Sequence, residues 1–252
     1  STPGAAQARS AGRPARRVRF RAGSGFVIGI GIEMHSVSVF VANLTGTVVS
    51  RSRSEVAPEA SANIRLRSIE QTISDSLDIA GAGNDRVLSA AVGTPGIVDS
   101  QGRIVLGALP DWTGLDLANE VRRMLSSPVT VQNILRMSTV GERWCGAAQG
   151  VDNVIHLHAG RRMGLGLLVN GQTPQGFHGA AGELSPTSSR KWIRSYNKPL
   201  GRPLGMPSSM VGAKRGTATG DARAIFDAAA SGDARALGAA KTFARELIMG
   251  IE

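Results

Sequence analysis

The sequence predicts a mixed α/β fold, an open sheet with crossover helices, and three features carry that reading. Three β-rich runs, FVIGIGIEM, SVSVFVANL and GTVVSRS, follow one another from Phe26 with only short breaks. Helix-periodic and strand-like segments then alternate, giving the order βββαβ(β)αβα. Glycine-rich turns such as TPG and GFHGAAGE punctuate these segments.

Each element has its own justification. Residues 1–25, STPGAAQARSAGRPARRVRFRAGSG, carry little apolar periodicity and read as a basic linker. In the second β-rich run Val37, Val39 and Val41 share one face and Ser36, Ser38 and Phe40 the other, so the three runs form a meander. Ile69, Ile73, Leu77 and Ala80 mark one face of a helix that GAG terminates. RVLSAAVG reads as a buried strand closed by TPG, GRIVLG as a short strand, LDLANEVRRML as an amphipathic helix and PVTVQN as a further strand. Asn133 is placed to cap the next helix, whose expected apolar face is Met137, Val140, Trp144 and Ala148. Trp144 is thus expected in the core, and Cys145 as a small buried hydrophobe. A second unit opens near Asp152, where NVIHLHAG, GLGLLV, the turn Asn170–Gly171 and QTPQGF are expected to form a hairpin. An irregular stretch, 185–219, precedes two helices, DARAIFDAAASG and ARALGAAKTFARELIMG. The expected organisation is a linker (1–25), a first lobe (26–150) and a second lobe (151–252) short of strands and incomplete at its C-terminus. A start at Ser1 rather than Met is read as a sign of missing upstream sequence.

With 42% hydrophobic residues the chain can bury a core, and no apolar run approaches the roughly 20 residues of a membrane span. The Arg-rich start lacks the apolar stretch of a secretory signal, so a cytoplasmic location is expected. One cysteine, Cys145, excludes an internal disulfide and a thiolate cluster, and His35, His156, His158 and His178 show no metal-ligand spacing. No metal and no cofactor are expected. The net charge of +10 is concentrated early, with Arg9, Arg13, Arg16, Arg17, Arg19 and Arg21 preceding the first acid, Glu33. Arg13, Arg16, Arg17 and Arg19 are candidate phosphate contacts to nucleic acid, against the alternative of a solvated linker.

The landmarks GRPARRVRFRA followed by FVIGIGIE, AAVGTPGIVDSQGRI, LPDWTGLDLA, VTVQN with GERWCGAA, and GLGLLVNGQ with GFHGAAGE resemble, in order and spacing, the ROK family of repressors, open reading frames and kinases. The resemblance covers about residues 12–252 and implies the actin-like, ribonuclease H-like sugar-kinase fold with two lobes, the second apparently truncated. In the family's kinases a DxGGT-like hairpin turn cradles phosphate; here the matching stretch is Glu33, Met34, His35, Ser36 and Val37. The second phosphate stretch, GTGxGxG, reads Gly160, Arg161, Arg162, Met163, Gly164, Leu165, Gly166, with Arg162 in place of its second glycine. At the ENDAN-like turn, aligned by VQN before and GERW after, the position of the proton-accepting Asp holds Ile134. Isoleucine cannot take a proton, and a general base is worth about 10²–10⁴ in rate. The family's zinc motif is also missing: Ser185 and Pro186 replace its Gly-His pair, and TSSRKWIRSYNKPLGRP holds no cysteine.

The resemblance therefore implies an inactive kinase scaffold: the effector-sensing and oligomerisation body of a ROK-type transcriptional regulator, homodimeric, reaching DNA through a winged helix-turn-helix upstream. GRPARRVRFRA matches the junction such regulators carry. Candidate ligand contacts are Asn133, Glu183 and His178, each with a structural alternative as helix cap, backbone anchor or structural hydrogen bond respectively, together with Arg161 and Arg162. The arginine pair would grip an anionic effector such as a sugar phosphate, or else face solvent. Two other readings stay open. One is a sugar kinase with a displaced base, Asp99, Asp111 or Asp116, although each sits where an ordinary cap is expected. The other is a sugar-binding module with no DNA role.

Overall fold

Alternation of Phe26, Ile28, Ile30 and Ile32 with Val27, Gly29 and Gly31 makes β1 (Phe26–Ile32) a strand with one buried face. In the computed structural model, which describes residues 19–159, 163–176, 179–183 and 222–248, this strand centres the larger sheet. It pairs antiparallel with β2 (Ser36–Asn43), which pairs antiparallel with β3 (Val48–Glu55). Val37, Val39 and Val41 are fully buried, as their alternation requires. β4 (Val87–Thr94) joins β1 in parallel and β7 (Val129–Asn133) joins β4 in parallel, giving the order β3-β2-β1-β4-β7.

Parallel neighbours require crossovers, and helices supply them. α1 (Ala62–Ala80) packs on β2 and β3 through Ile69, Ile73 and Leu77. It ends at Gly81, whose φ of 59° lets Ala82 N–H reach Leu77 O at 3.0 Å and Gly81 N–H reach Asp78 O at 3.1 Å. The second crossover holds a small antiparallel pair, β5 (Gly96–Val98) and β6 (Ile104–Gly107), and then α2 (Leu117–Leu125) on β7. Leu117, Val121 and Leu125 of α2 join the β1 and β2 side chains and α1 in one core. α3 (Ile134–Cys145) starts directly where β7 stops.

α3 leads to the hairpin of β8 (Val154–Ala159) and β9 (Met163–Leu168). Its residues Leu135 and Thr139 lie on Gly164 and Gly166 of β9: a Cβ at Gly166 would fall 1.8 Å from Thr139 Oγ1 and 2.6 Å from Leu135 O. Only glycine admits the helix this closely. Further on, α4 (Ala222–Ala230) and α5 (Ala234–Ile248) pack together through an edge-to-face pair, Phe226 and Phe243, with centroids 5.5 Å apart. Among the described residues no helix is long and apolar enough to cross a membrane.

Three expectations need correction. The face of α3 that is buried carries Arg136 and Thr139, while Val140 is 50% and Trp144 68% exposed and Ala148 is only half-buried. The reason is the glycine seam on β9, which draws the 135/139 side of the helix inward and turns the predicted apolar stripe toward solvent. Trp144 instead lays its ring against Gly46 in the β2–β3 turn. Cys145 is exposed at the end of α3, its Sγ 3.5 Å from Gly141 O. Finally, among the described residues of QTPQGF, 172–176, no strand forms: past the Asn170–Gly171 turn one bridge joins Val169 to Gln172, and residues 173–176 lie outside regular structure.

Candidate functional site

The junction of β7 and α3 is a strand that becomes a helix with no intervening loop, so its last strand residue must also be the helix cap. Asn133 does both. Its backbone pairs with Thr94 of β4, and its Oδ1 accepts from Leu135 N–H at 2.9 Å and from Arg136 N–H at 3.4 Å. Its Nδ2 donates to Gly96 O at 2.9 Å and to Glu183 Oε1 at 3.3 Å. The structure thus brings together Asn133 and Glu183, fifty residues apart in sequence. Both lone-pair positions and both protons of the amide are committed, so Asn133 acts here as the residue that aims the Glu183 carboxylate. Glu183 is exposed, and its second oxygen has no hydrogen bond among the described residues. That oxygen can accept from a hydroxyl group.

The sequence reading passed over Arg136. Buried to 4% exposure, it projects from the first turn of α3, where the helix dipole already disfavours a cation. Its Nη2 lies 2.7 Å from Gly179 O, 3.0 Å from Ala181 O and 3.3 Å from Gln175 O, and its Nη1 lies 3.4 Å from Gln132 Oε1. Burial lowers its pKa below the usual arginine value, and the Glu183 charge pulls it back up. The guanidinium gathers the carbonyls of the glycine-rich segment that carries Glu183. Its only sequence signal was an arginine inside a stretch whose neighbours should be apolar.

Ile134, the first residue of α3, is half-buried and packs against two strand glycines. A Cβ at Gly93 would lie 3.1 Å from Ile134 Cγ1, and one at Gly31 would lie 3.9 Å from Ile134 Cδ1. The side chain is wedged between the ends of β1 and β4. Nearby, the turn 33–35 is fastened from beneath by Arg65 of α1, which is fully buried. Arg65 Nη1 donates to Glu33 O at 3.0 Å, and its Nη2 donates to Met34 O and Ala57 O at 3.2 Å each. Its Nε has no partner among the described residues, and burial lowers its pKa. Glu33 is engaged by the Ser36 hydroxyl at 3.0 Å.

The remaining candidates sort by geometry. Asp116 caps α2, accepting from Asn119 N–H at 3.1 Å, and Asp99 accepts from Gln101 and Arg103 N–H groups at 2.9 Å each. Asp111 lies in a turn with φ of 55°. Trp112 is a support missed by sequence: fully buried, it donates its indole N–H to Thr94 Oγ1 at 2.9 Å, directly beside Asn133. Arg19 is exposed. Arg13, Arg16, Arg17, Arg161, Arg162 and His178 lie outside the described residues. Among the described residues no three His, Cys, Asp or Glu side chains are grouped to hold a metal ion.

Comparison with known proteins agrees with this architecture. A xylose repressor of Bacillus subtilis is 25% identical over 178 residues, which are 69% of this chain and 45% of the repressor. The chain spans under half the length of that relative. A ROK family glucokinase from Streptomyces griseus, solved with glucose and AMPPNP, superposes with a TM-score of 0.69 at 22% identity, covering 90% of this chain and 78% of that one. A ROK family transcriptional regulator, a homologue of the E. coli MLC protein, superposes with a TM-score of 0.68 at 22% identity, covering 95% of this chain and 64% of that one. These structural likenesses establish the actin-like fold. The ROK family profile matches residues 27–188, more than half of the sequence, and the chain belongs to the ROK family.

Proposed function

We propose that this chain is the effector-sensing and oligomerisation body of a ROK transcriptional regulator and does not transfer phosphoryl groups. The observation that carries the reading is Ile134: a hydrocarbon side chain between Gly31 and Gly93 at the strand-to-helix turn, with the Glu183 carboxylate, aimed by Asn133, posed to accept from a ligand. A scaffold that keeps its polyol-facing carboxylate but has no proton acceptor at the turn is fitted to bind a sugar rather than to consume it. In this reading residues 1–25 link to a DNA-reading domain, 26–150 and 151–252 form the two lobes, and the working unit is a homodimer. The ligand class is a neutral sugar, consistent with the name of the xylose repressor matched above.

The test is a gel shift of the full-length protein on its own promoter region against random DNA, with and without D-xylose and D-glucose. A preference for the promoter that either sugar alters is the expected result. No preference over random DNA, or no response to any of a panel of pentoses and hexoses, overturns it. The likeness to glucokinases favours a second reading, ATP-dependent sugar phosphorylation. Turnover of ATP with any of those sugars would establish that reading instead.

A further inference from the structure

We infer that Arg136 is the positioning residue of the ligand site, a guanidinium clamp that makes one rigid unit of the start of α3 and the segment bearing Glu183. The inference deepens the sensing role proposed above and rests on it for the ligand, though the clamp itself is a property of the free protein.

A buried cation at a helix N-terminus is unfavourable on two counts, desolvation and the helix dipole, so something specific must offset it. In this protein the compensation is a set of carbonyls from one segment: Gln175, Gly179 and Ala181 all face the same Nη2. That nitrogen has two protons for three acceptors, and the planar guanidinium can share them where a point-like ammonium could not. The segment could not present those carbonyls without unusual backbone, and it has it: Gly176, Gly179 and Gly182 have φ of 68°, 74° and 88°. It is also pressed close to the fold, since a Cβ at Gly179 would fall 2.7 Å from Val98 O and one at Gly182 3.0 Å from Leu165 O. Glycines allow this path but do not enforce it. Arg136 enforces it, and the path ends at Glu183, which then meets Asn133 Nδ2. The same helix turn therefore holds both ends of the site: Asn133 aims the carboxylate, and Arg136 fixes the chain that delivers it. A sugar hydroxyl accepted by Glu183 adds a load to this clamp, so loss of the clamp lowers affinity without removing any group that touches the ligand.

The experiment uses the full chain as wild type and as Arg136→Gln, Arg136→Lys and Arg136→Ala. Amide hydrogen exchange is followed at residues 179–183 and in β1 and β4, with D-xylose and D-glucose as titrants. Removing charged hydrogen bonds from a locally held segment is expected to speed exchange at 179–183 by about 10- to 100-fold in Arg136→Gln. β1 and β4 should be unchanged. Lysine should recover part of the protection, and millimolar methylguanidine should restore it in Arg136→Ala but not in wild type. Sugar affinity should fall as exchange at 179–183 quickens. Unchanged exchange at 179–183 overturns the inference, as does equal loosening of β1 and β4 or failure of both lysine and methylguanidine to recover protection. If wild type binds neither sugar while exchange behaves as expected, the clamp stands and the sugar-sensing reading falls. If wild type and Arg136→Gln bind equally well, sensing stands and the clamp falls.

Discussion

Ile134 packs onto Gly93 so closely that a Cβ on that glycine would approach the isoleucine Cγ1 to 3.1 Å and its Cα to 3.3 Å. The contact couples the last turns of β4 to the first residue of α3, and it is made by carbon on both sides. A carboxylate placed there would exchange these carbon contacts for a half-buried charge, with no cation among the atoms nearest Gly31 and Gly93. Ile134→Asp is therefore expected to lower stability by about 1–3 kcal/mol and to yield no ATP turnover with hexoses. A coupled ATPase assay with glucose reads the second point, and recovered phosphorylation would show that the turn 33–35 still admits a nucleotide.

The glycines of β9 give the second prediction. Gly166→Ala puts a methyl group 1.8 Å from Thr139 Oγ1 and 2.6 Å from a backbone oxygen, so α3 must move off the hairpin. Gly29→Ala, in a sister position on β1 with nothing within 4 Å of the new methyl, is the matched control. Urea denaturation should show a loss of about 3 kcal/mol or more for the first and a change within about 0.5 kcal/mol for the second. Equal effects would mean that Gly166 is not where the helix rests.

This seam also explains what could and could not be seen in the sequence. The meander, α1 and its Gly81 stop were legible because Val37, Val39 and Val41, or Ile69, Ile73 and Leu77, repeat with the period of the element they build. Asn133 was legible as a cap and Glu183 as a polar group in a glycine-rich turn, but their 3.3 Å contact spans fifty residues and has no local signature. The orientation of α3 was misread because its stripe of Met137, Val140 and Trp144 obeys helical periodicity, while the helix is seated by the smallness of Gly164 and Gly166. Arg136 went unnoticed for the same reason. A charged residue reads as solvated unless three carbonyls from elsewhere in the chain are known to await it.

Two tryptophans separate the core expected from the sequence from the observed one. Trp112 is fully buried and hydrogen-bonded to Thr94, whereas Trp144 is 68% exposed. Trp112→Ala should cost about 3–5 kcal/mol through cavity formation, or prevent folding. Trp112→Phe, which keeps most of the volume and leaves Thr94 Oγ1 without its donor, should cost about 1–2 kcal/mol. Trp144→Ala should cost less than about 1 kcal/mol. Denaturant midpoints at constant m-value decide the order, and a Trp144 effect as large as that of Trp112 would return α3 to its predicted orientation.

Arg65 supports a prediction whose pH dependence has a definite sign. Its fork reaches Glu33 O, Met34 O and Ala57 O from a fully buried position, and an ammonium cannot span all three. Arg65→Lys should lose about 2 kcal/mol or more near neutral pH. Burial already lowers the arginine pKa, yet arginine stays protonated at any pH where the protein is studied, so its contribution in wild type is flat with pH. Lysine in the same site starts from about 10.4 and is pushed down by the same desolvation. Its folded-state pKa then lies below its unfolded value, so above the folded pKa the unfolded chain binds more protons and stability rises with pH. The deficit of the variant should be fully present near pH 6 and shrink as pH climbs through the depressed lysine pKa toward 10. Urea titrations of both proteins at pH 6, 7.5 and 9 measure it. A deficit that is constant or grows toward pH 9 would mean that the substituted side chain has swung out to solvent and that the turn 33–35 holds its shape without a buried cation.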